Sequence, residues 1–156
     1  MRCRGLEPFF RSDSRVLVLG SFPSVMSRRE NFYYGNPRNR FWKTVADAAG
    51  LPVPTDTEEK KRLLTECRIA LWDVVDECEI KGSADSSISS VKTSDIYFLT
   101  RNCRIERILL NGRTAAKLFV ENFQSLTDIS VALPSTSPAN TAFCAEPWHA
   151  ELKNFI

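Results

Sequence analysis

The chain has 156 residues, of which 43% are hydrophobic and 26% charged, with a formal net charge of +2. That is one domain's worth of sequence with enough apolar residues for a proper core, which excludes a disordered or fibrous chain and leaves any nucleic-acid binding to local clusters rather than to global charge. The five cysteines, Cys3, Cys67, Cys78, Cys103 and Cys144, are odd in number and form no C-x-x-C pair, which excludes a disulfide framework and the common zinc and iron–sulfur spacings and points to a reducing cytosol.

In chain order, the first element is RVLVLGS (15–21), a short apolar run ending in Gly and Ser, as a buried strand does where it enters a loop. A helix follows, in which Phe41, Trp42, Val45, Ala46 and Ala49 keep the 3.6-residue period, with Asn39 as N-cap and Gly50 as stop. DTEEKKRLLTEC (56–67) opens on acids and ends beside Arg68, the arrangement a helix dipole favours. RIALWDVV (68–75) is a second strand and RILLNG (107–112) a third. TAAKLFVENF (114–123) is helical, ISVALPS (129–135) is a fourth strand, and the segment from Pro147 to Ile156 closes the chain as a short helix. Alternation of strand and helix predicts an α/β fold with a four-stranded, mostly parallel sheet, in one compact domain over residues 1–156. No stretch is apolar and long enough for a signal peptide or a membrane span, so an intracellular, cytoplasmic protein is expected.

In such sheets ligands bind beyond the carboxyl ends of the strands. The segments that follow the strands are GSFPS (20–24), GSADSS (82–87), NGR (111–113) and LPSTSPAN (133–140), all rich in small and loop-forming residues. GSFPS is not a G-x-G-x-x-G fingerprint, and Phe22 would block the close approach of a pyrophosphate. The only histidine, His149, lies in the closing helix, so a Ser–His or Cys–His pair would have to borrow it. The unusual stretch is YYGNPRNRFW (33–42). Arg28, Arg29, Arg38, Arg40 and Lys43 surround it, offering bidentate donors for phosphate beside flat rings for a base. For any one of these residues a solvated surface role suffices; as a cluster they fit nucleic acid.

The ordered set GSFPS, YYGNPRNRFWK, DVVDECEIKGSADSSI, ILLNGRTAAKLF and LPSTSPAN resembles the uracil-DNA glycosylase superfamily, and within it the hypoxanthine (deoxyinosine) DNA glycosylase branch, from about residue 15 to residue 145. The resemblance implies a three-layer αβα sandwich and a monofunctional hydrolase. Such an enzyme flips a deaminated base out of DNA and cuts its N-glycosidic bond without a cofactor or metal, acting as a monomer. Mismatch-specific relatives carry G-I-N-P-G in the first motif, where this chain has Phe22 at the Asn position; uracil enzymes begin the last motif with H-P-S, where this chain has Leu133. The hypoxanthine branch lacks both groups too, and its catalytic Asn falls on Asn39. Relatives often have His where Asn36 stands.

The roles the resemblance implies are these. Asn39 orients the attacking water, with Asp85 as rival catalytic group through its carboxylate. Tyr34 stacks on the extruded base, Phe22 forms another wall, and Asn36 and Asn111 are further candidates to meet the base. Ser21, Ser24, Arg38, Ser135 and Ser137 hold the DNA backbone, and Thr136 or Pro138 enters the gap the base leaves. Plain structural duties are available to several of them: Asn39 is a natural helix cap and Asp85 a natural turn residue. Removal of uracil or a mismatched base on the same fold, an inactive DNA-binding module, and a small-molecule enzyme on the same scaffold are the alternatives.

Overall fold

The computed structural model describes residues 2–80 and 88–156. In chain order the elements are β1 (Arg2–Arg4), β2 (Val16–Gly20), α1 (Val25–Glu30), α2 (Phe41–Ala49), α3 (Thr57–Cys67), β3 (Ile69–Asp73), β4 (Val75–Glu79), β5 (Ser89–Thr93), α4 (Ile96–Asn102), β6 (Arg107–Asn111), α5 (Arg113–Asn122), a 3-10 segment (Gln124–Ile129), β7 (Ser130–Leu133) and α6 (Glu146–Leu152).

The four strands expected from apolar runs form one parallel sheet in the order β3-β2-β6-β7. Val18 of β2 stands between Leu71 of β3 and Leu109 of β6. Every residue of β2 is buried, as expected for a central strand covered on both faces. Successive side chains of a strand point to opposite faces, and the two faces build two cores. Val16, Val18, Ile69, Leu71 and Leu109 pack with Phe41, Val45, Leu64 and Trp148 of α2, α3 and α6. Leu17, Leu19, Ala70, Ile108 and Leu110 pack with Ile96, Leu99, Ala115 and Phe119 of α4 and α5. This is the three-layer αβα sandwich.

The helices start and stop close to where their chemistry predicts. Asp56 caps α3 by accepting from the Glu59 N–H at 2.8 Å. Gly50 ends α2 with φ of 69°. Helix α6 runs from Glu146 and stops at Leu152, short of the expected Ile156.

Three strands were not foreseen. β1, β4 and β5 form a separate antiparallel sheet in the order β1-β4-β5. The expected strand 68–75 is really two: β3 ends at Asp73, and after Val74 the chain enters β4 in the second sheet. Charge rather than apolar alternation marks this small sheet, with Glu77 on β4 placed 3.8 Å from Arg4 and 3.5 Å from Lys92. β5 is exposed almost throughout, so no hydrophobic pattern announced it. Asp85 and the rest of the GSADSS segment lie outside the described residues.

In this sheet β2 connects to β3 on one side and β6 to β7 on the other. The loops beyond β2 and β6 therefore diverge and leave a crevice at their carboxyl ends, the general position for a ligand in an open α/β sheet.

Candidate active site

A cavity of about 960 Å³ opens at that crevice. It is walled by the β2 end (Gly20 to Ser24), by Tyr33, Tyr34, Asn36 and Asn39 ahead of α2, by Asp73 at the end of β3, by Asn111 to Thr114 where β6 passes into α5, and by the segment from Leu133 to Asn140. All the candidate site residues except Arg38 and Asp85 are among its lining: Ser21, Phe22, Ser24, Tyr34, Asn36, Asn39, Asn111, Ser135, Thr136, Ser137 and Pro138. Arg38 is exposed outside it, and His149 lies on α6, away from the lining.

The aromatic wall is built by local packing. Tyr34 has φ of 52°, a left-handed conformation rare for a bulky side chain. The turn lays its ring on Phe41 at a centroid distance of 4.3 Å and an interplanar angle of 28°, while the Trp42 indole N–H donates to the Tyr34 carbonyl at 3.1 Å. The Tyr34 hydroxyl is buried and meets no partner at hydrogen-bonding geometry among the described residues. Burial first, and then the charge of Asp73, hold its phenol well above the ordinary tyrosine range, although the neighbouring Asn111 amide favours the ionised form. Tyr33 is raised likewise, by burial and then Asp73, and its hydroxyl donates to the Glu7 carbonyl at 2.6 Å. Phe22 is 8% exposed, with the Arg28 guanidinium 5.3 Å from its ring centre.

Asn39 does two things that the sequence set against each other. Its Oδ1 accepts the Phe41 N–H at 2.9 Å, capping the first turn of α2, and the residue still lines the cavity. A carbonyl oxygen has two lone pairs. The cap uses one and fixes the amide, leaving the other available to a water. Asn36 accepts the Arg38 N–H at 2.9 Å, forming the turn that carries the chain to Asn39.

The opposite rim is tied by side chains from elsewhere. Asn111 accepts from the Thr136 N–H and donates to Thr136 Oγ1, both at 3.0 Å, and Thr136 is fully buried. Arg40 donates to the carbonyls of Ser137 (2.5 Å) and Asn140 (2.6 Å) while lying 4.7 Å from the Phe143 ring centre. Gly112 has φ of 96°, and a Cβ there would lie 3.1 Å from the Ser135 side chain, so the start of α5 closes on this rim only with glycine. Ser24 is the N-cap of α1, accepting from the Ser27 N–H at 3.1 Å, and Ser21 is buried at 6% exposure. Pro138 is half-buried and projects from a segment whose neighbour Ala139 is exposed.

Two participants escaped the sequence reading. Arg40 was counted with the phosphate-facing cations, yet its guanidinium holds a loop. Asp73, 4% exposed, was passed over inside the run IALWDVV. A carboxylate closing an apolar strand at the ligand-binding edge was the available signal.

A parallel αβα sandwich with an aromatic wall, a capped asparagine amide and a hydroxyl-bearing rim around one crevice defines a glycosylase-like site. The Uracil DNA glycosylase superfamily model matches residues 7–152, and the chain belongs to that superfamily. It is 35% identical to a hypoxanthine DNA glycosylase of Methanosarcina acetivorans over 142 residues, 90% of this chain and 89% of the relative. It is 26% identical to a hypoxanthine DNA glycosylase of Methanosarcina barkeri over 119 residues, 75% of each chain. A solution NMR structure from M. acetivorans, described as a candidate uracil DNA glycosylase, superposes with a TM-score of 0.87 at 32% identity, covering 99% of both chains.

Proposed function

We propose that this protein is a DNA glycosylase that hydrolyses the N-glycosidic bond of a deaminated base, hypoxanthine above all, and leaves an abasic site in an uncut strand. The observation that carries the reading is the Asn39 amide, capped onto α2 and lining the cavity that Tyr34 and Phe22 wall. It is supported by the similarity to relatives named hypoxanthine DNA glycosylase. A cytoplasmic monomer acting on DNA fits the same reading; no helix among the described residues is long and apolar enough to cross a membrane.

The target base leaves the duplex at a cost of a few kcal/mol, lowest where it is mispaired, and enters against Tyr34 and Phe22. The second lone pair of Asn39 Oδ1 holds a water toward C1′. An amide is too weak a base to take that proton early. The C1′–N bond therefore breaks first, the electron pair leaves with the base, and water meets an oxocarbenium-like sugar. Positioning and electrostatics supply the rate. Ser135, Ser137 and the free amides of their segment hold the backbone phosphates, and Pro138 fills the vacated stack.

The test is base release from oligonucleotides carrying one deoxyinosine, deoxyuridine or deoxyxanthosine, with alkali used to cut the abasic product. Release at inosine, and no cut before alkali, is expected. Asn39→Ser keeps an N-cap oxygen but not the amide carbonyl, so it should retain the fold and DNA affinity while base release falls at least about 100-fold. A serine variant with normal release would remove Asn39 from the chemistry. Release confined to uracil would keep the reaction and change the substrate.

A further inference from the structure

The mechanism above leaves one buried ionisable group in the cavity without a task. Asp73 ends β3, is 4% exposed and lines the crevice. Gly20, its register partner on β2, faces it with no side chain: a Cβ there would lie 2.6 Å from Asp73 Oδ1 and 3.4 Å from the Tyr34 hydroxyl. The space that a side chain on β2 would fill is thus given to a carboxylate and a phenol. The Asp73 charge is close enough to raise the titration of both Tyr33 and Tyr34. Tyr34 consequently stays protonated, and the carboxylate is the one anion of that pair. Keeping a carboxylate this far from water is costly, and a helix–sheet core gains nothing from it.

We propose that Asp73 is the specificity-determining residue of this site, accepting a hydrogen bond from the ring N–H that deamination creates in the base. Adenine presents a lone pair at N1 and cytosine one at N3. Hydrolytic loss of their amino groups turns each ring nitrogen into an N–H donor beside a carbonyl. An ionised carboxylate is an acceptor only, so it attracts the N–H of hypoxanthine or uracil and repels the lone pair of the parent base. It separates a damaged base from its parent, not hypoxanthine from guanine, which carries the same N–H. The neighbouring amide, Asn111, has its oxygen and nitrogen engaged with Thr136, which leaves the end of β3 as the better-placed reader. This inference rests on the glycosylase reading and names the group that selects its substrate.

The experiment compares unaltered protein and Asp73→Asn on duplexes carrying deoxyinosine or deoxynebularine, whose unsubstituted purine has a lone pair at N1. The unaltered protein should strongly favour inosine. Asp73→Asn should lose about 10- to 100-fold in kcat/KM on inosine. On nebularine it should lose nothing or gain, because the asparagine amide can donate to N1. An equal loss on both bases would mean that Asp73 supports the fold or the cationic sugar, and would overturn the proposal, as would no loss on either. Free bases give a check that needs no variant: hypoxanthine should inhibit the unaltered enzyme at least about tenfold more tightly than purine, and equal inhibition also overturns the assignment. Failure of the unaltered protein to release any deaminated base would instead sink the glycosylase reading itself.

Discussion

The two walls of the cavity are held in different ways. Residues 32–42 are locked by rings: Phe32 stacks on Trp42 at 6.0 Å and 17°, Tyr34 on Phe41 at 4.3 Å, and Phe41 meets Trp42 edge-on at 4.9 Å. Residues 134–140 contain no ring except proline. They hang on hydrogen bonds to Asn111, to Arg40 and, at Pro134, to the Trp148 indole at 2.8 Å, with Asn140 reaching back to the Ser135 carbonyl at 3.0 Å. Aromatic packing is large in area and loosely directional; hydrogen bonds are small in energy and fix atoms. The first wall therefore supplies a rigid surface for a flat base, and the second supplies placed polar groups for a charged backbone.

Breaking the ring wall should cost most. Tyr34→Ala removes the layer on Phe41 and should destabilise the fold by about 3 kcal/mol in urea unfolding, with base release reduced at least about 100-fold. Tyr34→Phe keeps the layer and, losing a hydroxyl that meets no hydrogen-bonding partner among the described residues, should cost under about 1 kcal/mol. A large loss in the phenylalanine variant alone would move the function of Tyr34 from its ring to its hydroxyl.

The hydrogen-bonded wall should yield next. Asn111→Ala leaves the fully buried Thr136 with an unmatched N–H, at a cost of about 2 kcal/mol. Because the loop loosens while the rings stay, DNA affinity should fall more than the single-turnover rate. The reverse pattern would assign Asn111 to the base after all.

The same contrast governs what could be read from the sequence. The four strands of the parallel sheet were legible because each is buried on both faces and so must be continuously apolar. The small sheet was not, because β1 and β4 pair through Arg4 and Glu77 and β5 is exposed; nothing in a hydrophobic pattern encodes such partners. The lining was legible at Phe22, Tyr34, Asn39 and the PSTSP serines, through strand-end position and the family resemblance. The duties of Arg40 and Asn111 were not, since each depends on a carbonyl or amide far away in the chain. Asn39 shows a limit of another sort: capping and cavity lining were treated as rivals, whereas one amide oxygen has room for both.

Alkali should probe the ring wall selectively. Tyr33 and Tyr34 both titrate above their ordinary value of 10.0, and Cys67, buried, is pushed from 9.0 up to about 11. Raised folded-state values mean that the native protein keeps protons which the unfolded chain releases. Stability is therefore complete below about pH 9 and falls as pH rises, by up to about 1.4 kcal/mol per pH unit for each tyrosine once past pH 10. Unfolding in urea between pH 9 and pH 11 should show this decline, and Tyr34→Phe should flatten it by one group's share. An unchanged slope would mean that the Tyr34 phenol is not held protonated by the fold.

The smallest effect separates two adjacent arginines. Arg38 is exposed at the mouth of the cavity, whereas the Arg40 guanidinium is committed to the Ser137 and Asn140 carbonyls. If Arg38 neutralises one phosphate, Arg38→Ala should reduce the slope of log affinity against log salt by about 0.9 and leave both the folded stability and the saturated rate of base release as they were. Arg40→Ala should do the opposite: the salt slope stays nearly constant, while release slows because the 134–140 segment no longer presents its serines in register. An exchange of these outcomes would mean that DNA draws the Arg40 guanidinium away from the two carbonyls. The second wall would then be assembled by binding rather than beforehand, unlike the first.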